Sequence, residues 1–152
     1  MSLAIDWCIS FNGDNTDLLS RALFWTIRTY CHAHDVQFHL VDNGGVADDI
    51  DTKYRPASSI VHIINKDWRE TRVGECYAES VLTAWDVAEW MVENCGDKKW
   101  CILSHFDMVM EGDILTWFRK RMTDDVGVVG THCPIMALNR TAYSERSVGW
   151  TP

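Results

Sequence analysis

Trp100-Cys101-Ile102-Leu103-Ser104-His105-Phe106-Asp107 is the stretch on which the fold turns. An apolar run of strand length breaks at its end into a polar triplet, the pattern of a buried strand that delivers side chains to one edge of a sheet. On its carboxyl side, Gly112–Met122 reads as a helix, Val126–Gly130 as a fifth strand and Pro134–Leu138 as a sixth. Thr141–Ser147 reads as a last short helix. On its amino side, Gly74–Asn94 carries Tyr77, Val81, Ala84, Trp85, Ala88 and Met91 at helical spacing. Asn94-Cys95-Gly96 supplies the helix stop.

Further upstream, Ser59–Ile64 is a third strand, so apolar that an interior place is expected. A short acidic helix or turn is expected at Ala47–Lys53, ended by Pro56. Val36–Val41 reads as the second strand, closed by the turn Asp42-Asn43-Gly44-Gly45. Thr16 starts a helix with Leu18, Leu19, Ala22, Leu23, Thr26, Ile27 and Tyr30 on its apolar face. Ala4–Phe11 is the first strand, followed by the turn Asn12–Asn15.

Strand and helix thus alternate along all 152 residues, with no repeat or linker, as expected of one domain. The alternation predicts a three-layer α/β/α architecture around a mostly parallel sheet. Such sheets bind ligands at the carboxyl ends of their strands. The clusters Asn12–Asn15, Asp42–Gly45, Asn65–Arg72 and His105–Asp107 are therefore expected to gather along one edge.

Composition narrows the function. A net charge of −8 excludes a phosphate-backbone reader, which needs clustered Lys and Arg, so no nucleic-acid partner is expected. If an acidic protein handles a diphosphate, it needs a local cation. No apolar run approaches the roughly 20 residues of a membrane span. The N-terminal residues lack a signal-peptide pattern, so a cytoplasmic location is expected. The six cysteines show no metal-ligand or disulfide spacing and read as reduced core thiols. Eight tryptophans are many for this length, and their faces stack well on sugars and bases.

Read in order, four segments resemble glycosyltransferase family 2 and its GT-A relatives. Cys8-Ile9-Ser10-Phe11-Asn12 with Leu18–Leu23 resembles the first strand and helix, and Leu40-Val41-Asp42-Asn43-Gly44-Gly45 the second-strand motif Val-Asp-Asp-Gly-Ser. Cys101–Asp107 with Gly112–Leu115 resembles the strand bearing the Asp-x-Asp metal motif. Val126–Gly130, with Ala137–Arg140 and Tyr143, resembles the strand pair beyond it. The resemblance implies a Rossmann-like GT-A core that binds a nucleotide-diphospho-sugar and transfers the sugar with a divalent metal, Mn²⁺ or Mg²⁺. The alternative is a non-catalytic nucleotide or nucleotide-sugar binding module of the same fold.

In the family's terms, His105 and Asp107 fall on the metal triplet, with His in place of the first carboxylate. The pair either holds the ion, imidazole suiting Mn²⁺ better than Mg²⁺, or marks a degraded metal site. Asp42 and Asn43 fall where the family contacts ribose and base, or else make an Asx turn. Ser10 and Asn12 lie where backbone meets the base, or else cap the turn. Lys66, Arg69 and Arg72 form either a diphosphate clamp or a solvated loop. His132 is a further strand-end candidate, and His62 reads as a core histidine. In the family, a basic residue follows the glycine-rich start of the third helix; here Gly74 is followed by Ala78-Glu79-Ser80. The catalytic base is not legible. The family's acceptor region begins about where Trp150-Thr151-Pro152 stands, so either the active site is minimal, or a partner or a second copy of the chain supplies the acceptor site, or the chain is a fragment or a non-catalytic relative.

Overall fold

The computed structural model describes residues 4–11, 16–43, 50, 53–64, 84–131 and 135–142. They form strands β1 (Ile5–Phe11), β2 (Val36–Asp42), β3 (Ile60–Ile63), β4 (Trp100–His105), β5 (Val128–Gly130) and β6 (Met136–Asn139). The helices are α1 (Thr16–Tyr30), α2 (Ala84–Asn94) and α3 (Ile114–Arg119). The sheet runs β3-β2-β1-β4-β6-β5. Its first four strands are parallel, and β6 lies antiparallel to both β4 and β5.

β1 is central, and all seven of its residues are buried, which explains its nearly unbroken apolar run. Its alternate side chains separate two cores. Ile5, Trp7, Ile9 and Phe11 join Leu23, Phe24 and Ile27 of α1 and Leu115 and Phe118 of α3. On the other face, Cys8 joins Cys101 and Leu103 of β4 and Val87, Met91 and Val92 of α2. The result is the expected α/β/α sandwich. Trp7 is fully buried, and its indole N–H donates to Ser104 Oγ at 2.8 Å, so its burial leaves no orphaned donor.

Two expectations change. β3 is an edge strand among the described strands, with Ile60, Val61 and Ile63 exposed. Its apolar run reports β-propensity, because Val and Ile suit any pleated strand whether or not both faces are covered. The buried face of α1 is also rotated from the expected one. Phe24 is buried, while Leu18 is 66% exposed and Tyr30 lies at the exposed rim. The helix turns about 100° per residue, so a face centred on Leu23, Phe24 and Ile27 carries Leu18 out to solvent.

α3 is shorter than expected. Asp113 caps it by accepting from Thr116 N at 3.0 Å, and its second oxygen accepts from Thr116 Oγ1 at 2.6 Å. Of the Gly74–Asn94 helix, only the part from Ala84 is described. The acidic segment at Ala47–Lys53 lies outside the described residues except for buried Ile50 and for Lys53, which opens a turn.

The amino end of the sheet is held by a buried charge network. The Asp6 carboxylate is 1% exposed and accepts from Arg140 Nη1 at 2.5 Å, Lys98 N at 2.8 Å and His39 Nε2 at 3.2 Å. Arg140 also donates to Val92 O at 3.2 Å and to Cys95 O, closing carbonyls that the end of α2 leaves open. Gly96 completes that helix stop with φ +76°, as the Asn94-Cys95-Gly96 reading requires. A Cβ on Gly96 would lie 2.3 Å from Asp6 Oδ2. Gly96→Ala therefore combines left-handed backbone strain of about 1–2 kcal/mol with a clash against a fixed carboxylate. A loss of at least about 2 kcal/mol is expected, read from the urea midpoint.

Candidate nucleotide-diphosphate site

The parallel register brings the strand-end residues together. Ser10 of β1 pairs with Val41 of β2 and with His105 of β4, and Phe11 pairs with Asp42. The chain just beyond the strands is tied down by backbone bonds. Asn43 N donates to Phe11 O at 2.8 Å, Phe106 N to Ser10 O at 3.1 Å, and Ile64 N to Asp42 O at 3.2 Å. Ser10, Asp42, Asn43, His105 and Asp107 thus share the carboxyl edge of three adjacent strands, as expected. From β2 to β4 is two strand spacings, about 9–10 Å.

The triplet His105-Phe106-Asp107 is built around its middle residue. Phe106 is 3% exposed and stacks on Phe11, with ring centroids 5.5 Å apart. Beyond it, Met110 N donates to Thr26 Oγ1 of α1 at 3.2 Å, pinning the segment that follows. With Phe106 anchored inward, the flanking side chains meet: His105 Nδ1 lies 2.8 Å from Asp107 Oδ1. Both are open to solvent, at 33% and 54%.

On β2 the environment is closed. Asp42 and Asn43 are 2% and 6% exposed. Asn43 Oδ1 is buried and accepts no hydrogen bond among the described residues; the Asx turn weighed as its alternative role involves Gly44 and Gly45, which lie outside them. An orphaned buried acceptor costs roughly 1–3 kcal/mol and is a place for a ligand donor.

Asn12, Arg72, Lys66, Arg69 and His132 lie outside the described residues, as do Gly74, Ala78, Glu79 and Ser80. A cluster that the sequence does not announce lies deeper in the sheet: His39, His62 and Cys95 hold ligand atoms within 4.8 Å of one another. No local motif joins β2, β3 and the end of α2. Only the register, His39 opposite Ile60 and Val41 opposite His62, puts the two imidazoles on one face.

This strand order, with four parallel strands and an antiparallel return beside β4, is the GT-A fold. No protein-family model matches the chain, and no curated protein is detectably similar to it in sequence. Solved structures are similar in fold. The galactosyltransferase LgtC, in complex with donor and acceptor sugar analogues, matches 92% of this chain with a TM-score of 0.58 at 10% identity. The mannosyltransferase PcManGT from Pyrobaculum calidifontis, in complex with GDP-Man and Mn²⁺, matches 98% with a TM-score of 0.62 at 9% identity. The bifunctional glycosyltransferase WbbM matches 100% with a TM-score of 0.52 at 10% identity. The chain spans 59%, 47% and 30% of those three chains, respectively. No helix among the described residues is long and apolar enough to cross a membrane.

Proposed function

We propose that this chain is the nucleotide-binding domain of a glycosyltransferase, holding a nucleotide-diphospho-sugar donor and a divalent metal at the carboxyl edge of its sheet. One observation carries the reading: on the GT-A topology, the His105–Asp107 pair stands two strands, about 9–10 Å, away from Asp42 and Asn43, a span that one nucleoside diphosphate can bridge from its phosphates to its base.

The donor set fits a metal. Two ligands about 2.0–2.1 Å from an octahedral ion and at right angles lie about 2.9 Å apart, close to the 2.8 Å between His105 Nδ1 and Asp107 Oδ1. A nitrogen–oxygen pair favours Mn²⁺ over Mg²⁺. When bound, the ion would neutralise the charge that develops on the leaving diphosphate. Asp107 supplies the only negative charge of the pair; without the ion His105 Nδ1 and Asp107 Oδ1 share a hydrogen bond that holds the two side chains together, and the ion would take the place of its proton. At the other end, Asp42 can accept from ribose hydroxyls, and the Asn43 amide offers both donor and acceptor to a base edge. Because Asn43 is nearly covered, donor entry requires local opening at this edge.

Asn43→Ala tests the base end. It is expected to weaken GDP or UDP binding about tenfold while leaving the ligand-free thermal midpoint unchanged or higher, since it removes an oxygen that accepts no hydrogen bond among the described residues. Unchanged affinity would remove Asn43 from the site.

A second reading has its own support. His105 puts a neutral ligand where the family carries a carboxylate, which lowers the charge available to hold an ion. On that reading the chain binds nucleotide without turnover. Donor hydrolysis or sugar transfer with Mn²⁺ present separates the two. We place the domain in the cytoplasm.

A further inference from the structure

We propose that His39, His62 and Cys95 form a second metal site, suited to Zn²⁺, on the α2 face of the sheet and independent of the nucleotide edge. His39 lies three residues before Asp42 on β2, about 10 Å back along the strand.

The ligand types are those of zinc, two imidazoles and one thiol, and they come from three elements held by the fold. Nδ1 of His39 is 2.9 Å from Nε2 of His62. In a tetrahedral site with bonds of about 2.0–2.1 Å, two nitrogens lie about 3.3 Å apart, so the rings need part by only a few tenths of an ångström. The Cys95 sulfur lies within 4.8 Å of one ring nitrogen of each histidine, and in such a site it would stand about 3.6 Å from each ligating nitrogen. Cys95 follows the last turn of α2 and packs in the same core cluster as Cys8 and Cys101.

Asp6 supplies the second observation. Its Oδ1 is 3.2 Å from Nε2 of His39, in a pair whose side chains are 1% and 3% exposed. A deprotonated carboxylate there places the imidazole proton on Nε2 and leaves the lone pair on Nδ1, which faces His62 Nε2. This is the carboxylate–histidine–metal arrangement that orients ligands in zinc proteins. In the ion-free chain, the hydrogen between His39 and His62 occupies the place the metal would take. On binding, His62 moves its proton from Nε2 to Nδ1, and Cys95 releases its thiol proton to solvent. One proton leaves for each ion bound. His62 is only half-buried and sits on edge strand β3, with Trp90 edge-on to its ring at 6.1 Å, so the ion's path and a fourth ligand from solvent lie on that side.

The test is a Co²⁺ titration of the reduced full chain, followed by absorption, with Zn²⁺ added at the end. The expected result is one equivalent with tetrahedral visible bands and a near-ultraviolet thiolate-to-cobalt band, all displaced by Zn²⁺. Cys95→Ser, nearly isosteric, should remove the thiolate band and weaken Zn²⁺ binding roughly 100-fold or more. His62→Ala, on the edge strand, should weaken it comparably with an unchanged circular dichroism spectrum. Asp107→Ala should leave this signal intact, which separates it from the nucleotide edge. Absence of the thiolate band in the folded wild-type chain would overturn the proposal. So would its persistence in Cys95→Ser, or its loss in Asp107→Ala.

Discussion

Asp6→Asn is expected to destabilise the protein by roughly 3–5 kcal/mol at pH 7, the cost of removing one partner from a buried ion pair. The carboxylate collects three donors from distant parts of the chain: Arg140, the Lys98 backbone and His39. An amide keeps the shape and loses the charge, leaving the Arg140 guanidinium, 15% exposed, without its counterion. The effect should also carry a pH signature. Burial pushes the Asp6 carboxyl up, but the hydrogen bonds from His39, Arg140 and Lys98 outweigh it and hold the group below its ordinary value. A depressed carboxyl gives stability that is full above the unfolded value of about 3.9 and is lost as pH falls from there through the lower folded value. Urea titrations of wild type and Asp6→Asn should therefore differ most at neutral pH and converge below about pH 4. A constant difference at both pH values would assign the loss to packing instead.

Asp107→Ala is expected to leave the fold intact and to weaken metal-dependent nucleotide binding on the order of 100-fold, about 2.8 kcal/mol. The side chain is 54% exposed and its bond to His105 is a surface one, so stability has little to lose. Its charge, however, is the only one that the pair would offer a divalent ion. Calorimetry with GDP and UDP in Mn²⁺, alongside a melting curve, reads both effects. Full affinity in a folded Asp107→Ala chain would move the metal away from this triplet.

The shared edge of the candidate residues was easier to read from the sequence than the scaffold that holds it. The common edge of Ser10, Asp42, Asn43, His105 and Asp107 was legible because each lies at or just beside the end of a strand, and parallel strands end on one edge. The strand and helix alternation was legible for the same local reason, and so was the Gly96 stop. The edge position of β3 was not, because Ile and Val favour a strand wherever it lies in the sheet. The Asp6–Arg140 pair joins residues 134 apart in sequence, and no local pattern marks an Asp within an apolar strand as one end of it. The His39–His62–Cys95 cluster was hidden for a related reason. It exists only once β2 and β3 are in register and α2 has stopped at Gly96.

The most direct measurement is calorimetric titration of GDP and UDP into the wild-type chain, with and without Mn²⁺. The account predicts one site per chain for at least one of the two nucleotides, with affinity that rises at least tenfold when Mn²⁺ is present. No binding of either nucleotide, with or without the metal, would contradict it.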